Sequence, residues 1–179
     1  GYLILPGLEA VALAERFARV RKAGTLTMLD VATPGPGDYL RHLWPLLPHT
    51  DVFLPNTDEA ALILGDRDPL RQALAFHDLG ARRVVITRGE HGAVVVSDTL
   101  RARLGAFPVP YVDGSGGGDA FDAGYITGHL DGRDELGCLT FASAIGASCV
   151  RAVGTTAGVF TRAEAEQFLK HHSLAVERL

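Results

Sequence analysis

A chain of 179 residues suits one domain, or one with a small extension, and its 47% hydrophobic and 21% charged residues are the balance of an ordinary globular protein. A net charge of −4 carries no electrostatic footprint for nucleic acid, and no run of about 18 apolar residues is free of polar interruption, so neither a nucleic-acid partner nor a membrane span is expected. Cys138 and Cys149 fall on one predicted helix with about 16 Å of rise between them, too far for a disulfide, which suits a reducing cytoplasm.

The chain opens "GYLILPGLEAVALAERF", which lacks the basic start of a signal peptide. Gly1 in place of an initiating methionine is expected of a fragment or a processed chain. "YLIL" reads as a short strand and residues 8–22 as a helix ended by Gly24. "TLTML" is a second strand finishing at Asp30, and "VATPGPG" is a loop. A helix over 38–47 is expected to bury Leu40, Leu43, Trp44 and Leu47. "DVFL" is a strand stopped by Pro55, and "NTDEAALILG" opens a helix at Asn56. A helix over 69–79 precedes the strand "RVVIT", the turn "RGEHG" and the strand "AVVV", with "RARLGAFPV" extended beyond. "FPVPYV" reads as a strand or extended edge. Helices are then expected after the glycine cluster at 114–118, over 134–150 and over about 162–171. Strands that are apolar throughout and alternate with helices predict a mostly parallel sheet covered on both faces. The pair near 84–104 adds an antiparallel element. Ligands of such sheets bind outside the carboxyl ends of the strands, so the loops after Leu29, Leu54, Ile86 and Val112 are the informative ones.

The last of these is "VDGSGGGDAF", residues 112–121. A glycine cluster implies a backbone that must go where a Cβ would clash. Peptide N–H groups of such a loop converge on an anion, and the N-terminus of a following helix adds partial positive charge. A dinucleotide fingerprint fails because position 119 is Asp, and a P-loop fails because neither lysine lies near the glycines. A nucleophile elbow fails because Asp113 stands two before Ser115. What remains is a glycine anion cradle followed at once by the Asp119 carboxylate in a first helical turn. That arrangement suits a general base that takes a proton from an alcohol attacking phosphorus, although the same residue also serves as a plain helix cap. Asn56 and Glu59, three apart at a helix start, could hold a hydrated Mg²⁺; they equally spell an N-cap box. Thr87 and Gly89 sit at a strand end where a nucleotide could lie against bare backbone, or simply form a hairpin turn.

Taken together the segments resemble the C-terminal part of a ribokinase-type sugar kinase, the PfkB carbohydrate kinase family. "DGSGGGDAFDAGYITGHLDG" is similar to the signature D-T-x-G-A-G-D-x-F, "PNTDEA" to P-N-x-x-E-A, and "TRGEHGA" to T-x-G-x-x-G. "FASAIGASCVRAVGTTAG" resembles the helix and loop that close the adenine pocket, and the likeness runs over essentially the whole chain. The resemblance implies a three-layer α/β/α fold with a mostly parallel sheet. It implies Asp119 as catalytic base and the N–H groups of Gly116, Gly117 and Gly118 as anion hole. Asn56 and Glu59 would position Mg²⁺ through water, and Asp30 would face the phosphates. Thr87 and Gly89 would line the nucleotide, with Ser143, Val153 and Gly154 near the adenine. Asp113 would lie near a monovalent-cation site, K⁺ being the candidate. The implied activity is ATP-dependent phosphorylation of a sugar or sugar-like alcohol by a cytoplasmic enzyme, and the family admits a homodimer.

Some positions depart from the pattern. Gly114 stands for the usual threonine and Gly117 for the usual alanine, which predicts a loop that orders mainly on nucleotide binding. Arg88 is a charged residue within the T-x-G turn. The family's N-terminal lid and sugar contacts have no counterpart in these residues. The 179 residues therefore read as the ATP-binding and catalytic-base portion of one kinase domain, incomplete for catalysis alone. A non-catalytic nucleotide-binding module, or pseudokinase, is the competing reading; intact Asp119 and Glu59 argue against it. A dinucleotide oxidoreductase is disfavoured by the failed fingerprint.

Overall fold

A computed structural model describes residues 2–5 and 7–179. One sheet carries six strands in sequence order: β1 (Met28–Leu29), β2 (Val52–Phe53), β3 (Arg83–Thr87), β4 (Ala93–Ser97), β5 (Arg101–Leu104) and β6 (Val176–Arg178). β1 and β3 both pair parallel with β2, in the registers Met28 to Val52 and Phe53 to Val84. β4 returns antiparallel along the whole of β3, Arg83 opposite Ser97 and Thr87 opposite Ala93. The helices are α1 (Ala10–Lys22), α2 (Leu40–Leu43), α3 (Thr57–Leu64), α4 (Pro69–Asp78), α5 (Gly117–Leu130), α6 (Glu135–Cys149) and α7 (Arg162–His171).

The chain divides into two compact units. The first takes the residues up to Arg88, together with Ala93–Arg103 and Arg178–Leu179; the second takes Gly89–Gly92 and Leu104–Glu177. In the first unit, Phe53 of β2 meets Phe76 of α4 edge to face with ring centroids 4.9 Å apart. Val84, Ile86, Val94 and Val96 surround them, with Leu43, Leu46 and Leu47 fully buried on the same core. Full burial of side chains this size contributes about 1.5–3 kcal/mol each. In the second unit α5 and α6 pack closely because Gly124 and Gly128 leave no Cβ between them. A methyl group at Gly124 would come within 2.8 Å of the Ala142 Cα. Ala120, Phe141, Ile145, Cys149 and Ala165 form the core there.

Two sequence expectations are corrected and one alternative is resolved. "YLIL" is not a strand: Tyr2–Ile4 is a single 3-10 turn, closed by Leu5 N–H on the Tyr2 carbonyl. One bond, Tyr2 N–H to the Asp30 carbonyl, is too little pairing to hold a strand. The helix over 38–47 breaks into the one-turn α2 and a 3-10 turn at Leu47–His49. Pro45 offers no N–H to continue α2, so the face set by Leu40, Leu43 and Leu47 does not extend to Trp44, which is 62% exposed. For "FPVPYV", read as a strand or an extended edge, the strand alternative falls, since Pro108 and Pro110 remove two ladder donors, although Phe107 is buried. β6, exposed throughout and carrying the charged Glu177 and Arg178, escapes a reading based on apolar runs.

Candidate functional site

In the first unit the candidate residues gather at the carboxyl ends of parallel strands. Asp30 follows β1 directly, half-buried. Asn56, two residues past Leu54, caps α3: its Oδ1 accepts from Asp58 N–H at 3.0 Å and Glu59 N–H at 2.9 Å. Glu59 Oε2 in turn accepts from Asn56 N–H at 2.8 Å, completing a capping box. The capping reading of this pair is thus realised. It uses one carboxylate oxygen of Glu59 and leaves the other for a second partner. Thr87 ends β3 and pairs with Asn56 as an isolated parallel bridge, with Thr57 Oγ1 donating to the Thr87 carbonyl at 3.1 Å. Burial pushes the Glu59 carboxyl above its usual range; the Asn56 N–H opposes this, while the charges of Asp30 and Asp58 add to it. A carboxylate raised by burial and a second acid is one that a cation would relieve. Among the described residues no three His, Cys, Asp or Glu side chains could hold a metal ion together. The donors fit Mg²⁺, which keeps several waters and is bound through one or two carboxylates.

In the second unit the glycine loop is tied to the segment that follows α6. Val112 N–H at 2.8 Å and Asp113 N–H at 3.2 Å both donate to the Val150 carbonyl. Asp113 Oδ2 accepts from Gly154 N–H at 2.9 Å and Oδ1 from Ser115 N–H at 3.0 Å. The Gly154 N–H first, and Ser115 after it, hold the Asp113 carboxyl below its ordinary range. Gly116 is the N-cap of α5 with φ of 76°, a left-handed conformation that favours glycine. A Cβ there would also lie 2.8–3.0 Å from Thr155, so the site needs a glycine on two counts. Gly117 and Gly118 start the helix and Asp119 stands exposed in its first turn. First-turn N–H groups lack intrahelical acceptors. That of Gly117 nevertheless donates to the Gly114 carbonyl at 3.2 Å.

The remaining expected residues are less concentrated. Gly89, with φ of 54°, opens the 3-10 turn Gly89–His91 in the second unit. Val153 is 76% exposed on the loop after α6, next to Gly154. Ser143 lies within α6 and spends its hydroxyl on the Leu139 carbonyl at 2.8 Å; none of the described hydrogen bonds joins it to the loop network. Cys149, which the sequence reading assigned no role, is fully buried beneath the loop. Its thiol lies 3.5 Å from the Ser115 carbonyl and 3.3 Å from that of Thr155. Burial pushes this thiol up, and the charges of Asp113 and Asp119 add to the shift. Its one sequence signal is its place as the last residue of a mostly apolar helix, immediately before the loop. Both cysteines are buried thiols outside any disulfide. No helix among the described residues is long and apolar enough to cross a membrane.

These features define an α/β protein with a glycine-capped helix start beside a carboxylate. Residues 1–162 match the model of the pfkB family of carbohydrate kinases, and the chain belongs to that family. A ribokinase of Haemophilus influenzae is 30% identical over 169 residues, 92% of this chain and 53% of the relative. A cytidine kinase of Thermococcus kodakarensis is 38% identical over 104 residues, 57% of this chain and 36% of the relative. A putative ribokinase II from E. coli, solved in complex with ATP and Mg²⁺, superposes with a TM-score of 0.75 at 26% identity, covering 91% of this chain and 54% of that one. Arabidopsis thaliana ribokinase, complexed with ribose and ATP, gives a TM-score of 0.78 at 24% identity, covering 91% and 52%. The fold is therefore ribokinase-like. The chain spans about half the length of the ribokinases it matches.

Proposed function

We propose that the protein carrying this chain transfers the γ-phosphoryl group of ATP to a hydroxyl of a sugar or nucleoside. The observation that carries the reading is the Asp119 carboxylate in the first turn of α5, three residues after the left-handed Gly116. Family membership and the kinase names of the relatives support it. Asp119 takes the acceptor's proton as its oxygen attacks the γ-phosphorus, and the bond to the bridging oxygen breaks to release ADP. The N–H groups of Gly116, Gly117 and Gly118 receive the equatorial oxygens, that of Gly117 exchanging its bond to Gly114 for one of them. Glu59, with Asn56 beside it, would hold Mg²⁺ through water, and the ion would supply charge neutralisation to the phosphates; Asp30, at the end of β1, would face them. Thr87, Gly89, Val153, Gly154 and Ser143 are the residues that the family pattern offers to the nucleotide, the last three to its base. Asp113, charged and close to carbonyl-rich loop backbone, is where K⁺ would act.

In the protein carrying this chain, Asp119→Asn is expected to lower kcat by about 10²–10⁴-fold. ATP affinity should change little, because the groups that hold the phosphates are backbone. Steady-state kinetics with calorimetric titration of ATP and Mg²⁺ would check both. Near-normal turnover in the variant would remove Asp119 from the mechanism.

A further inference from the structure

The glycine loop carries two more glycines than its family pattern, at 114 and 117, yet it makes several contacts with the segment after α6. Three sets of contacts join residues 112–116 to residues 150–155. The Val150 carbonyl accepts two N–H groups, the Asp113 carboxylate bridges Ser115 and Gly154, and the bare Gly116 Cα lies against Thr155. All of these act at the loop surface or through its main chain. One group acts from beneath. The Cys149 thiol is fully buried, with the carbonyls of Ser115 and Thr155 at 3.5 and 3.3 Å, one from each segment. We propose that Cys149 is a positioning residue, whose S–H is shared between these two carbonyls and sets the glycine loop against the segment after α6. An alanine would leave both carbonyls with one donor fewer, and a larger apolar residue would push them apart. The thiol hydrogen bonds are individually weak, so its effect lies in fixing two main chains at one point, where peptide direction decides where N–H groups aim. This role rests on the proposed function only in what the loop binds; the clamp itself is a property of the protein.

Hydrogen exchange on the protein carrying this chain tests the clamp, and nucleotide titration tests its consequence. In the wild-type protein without nucleotide, the amides of Ser115 and Gly154 should exchange at least about tenfold more slowly than in unstructured chain. Cys149→Ala should lose protection in both 113–118 and 153–156 while amides within α6 keep theirs, and Cys149→Ser should restore part of it. The dissociation constant for ATP with Mg²⁺ should rise about 3–10-fold in the alanine variant, the effect of roughly one hydrogen bond, and fall back in the serine variant. Free exchange of Ser115 and Gly154 in the wild type would overturn the clamp without any variant having to fold. So would a loss of protection spread evenly through α6 in Cys149→Ala, with unchanged nucleotide affinity, since that is what a packing role alone gives. Absence of ATP binding to the wild type would instead contradict the proposed function and leave the exchange result to decide on Cys149.

Discussion

Glu59 has one role in the structure, as part of a cap, and a second that is proposed, as a Mg²⁺ positioner. One oxygen closes the capping box of α3, and the carboxyl is raised by burial and by neighbouring acids. The cap accounts for the first fact, and burial with the neighbouring acids accounts for the second; the oxygen that the box leaves over is the one proposed to meet Mg²⁺ through water. Glu59→Gln should therefore raise the Mg²⁺ concentration needed for half-maximal activity, while costing about 1 kcal/mol or less in stability because the amide oxygen can still cap. Rate measured against Mg²⁺ beside a thermal melt separates the roles. An unchanged Mg²⁺ requirement with a lowered melting temperature would leave Glu59 as a cap only. At this scale the sequence was informative wherever a residue type announces its chemistry. Asp119, Asn56 and Glu59 could be picked out from spacing and loop context, and Asp113 through the resemblance to the family signature. Cys149 could not, because its importance comes from two carbonyls 34 and 6 residues away in the chain, and main-chain acceptors leave no mark in a sequence.

Among the elements, α5 and α6 show how glycine can signify proximity rather than flexibility. Gly124 faces the Ala142 Cα and the Ile145 side chain, and Gly128 faces the Cys138 Cα at 3.0 Å for an added Cβ. Gly124→Ala would gain about 1 kcal/mol of helix propensity. It must also separate two helices, an overpacking cost of about 1–3 kcal/mol. A net loss of about 1 kcal/mol is expected in chemical denaturation, because the atom met is backbone and cannot step aside. An increase in stability would show that the helices yield freely. The sequence marked both as helices, but not which residues form the contact. Shorter elements were less legible. β1 and β2 are two residues each, and the 38–47 stretch kept its apolar pattern while Pro45 cut the helix. Where hydrogen-bond supply and hydrophobic period conflict, the backbone donors decide.

For the whole molecule, the order of strands and helices identified the fold class before any coordinates, because parallel strands demand helical crossovers between them. The antiparallel β3–β4 pair was equally visible from two apolar runs around "RGEHG". What the sequence left open is the acceptor. The relatives include kinases named for ribose, cytidine and 5-dehydro-2-deoxygluconate, so the family by itself allows sugars and nucleosides. The central claim is phosphoryl transfer to a hydroxyl. The most direct measurement follows γ-phosphate-labelled ATP with Mg²⁺ in the protein carrying this chain, across a panel of pentoses, hexoses, sugar acids and nucleosides. The account predicts label in a phosphoester of at least one acceptor, with ADP released only in that acceptor's presence and no ester formed by Asp119→Asn. ATP bound but never cleaved, or label released only as inorganic phosphate whatever the acceptor, would contradict it and favour a nucleotide-binding module without transferase activity.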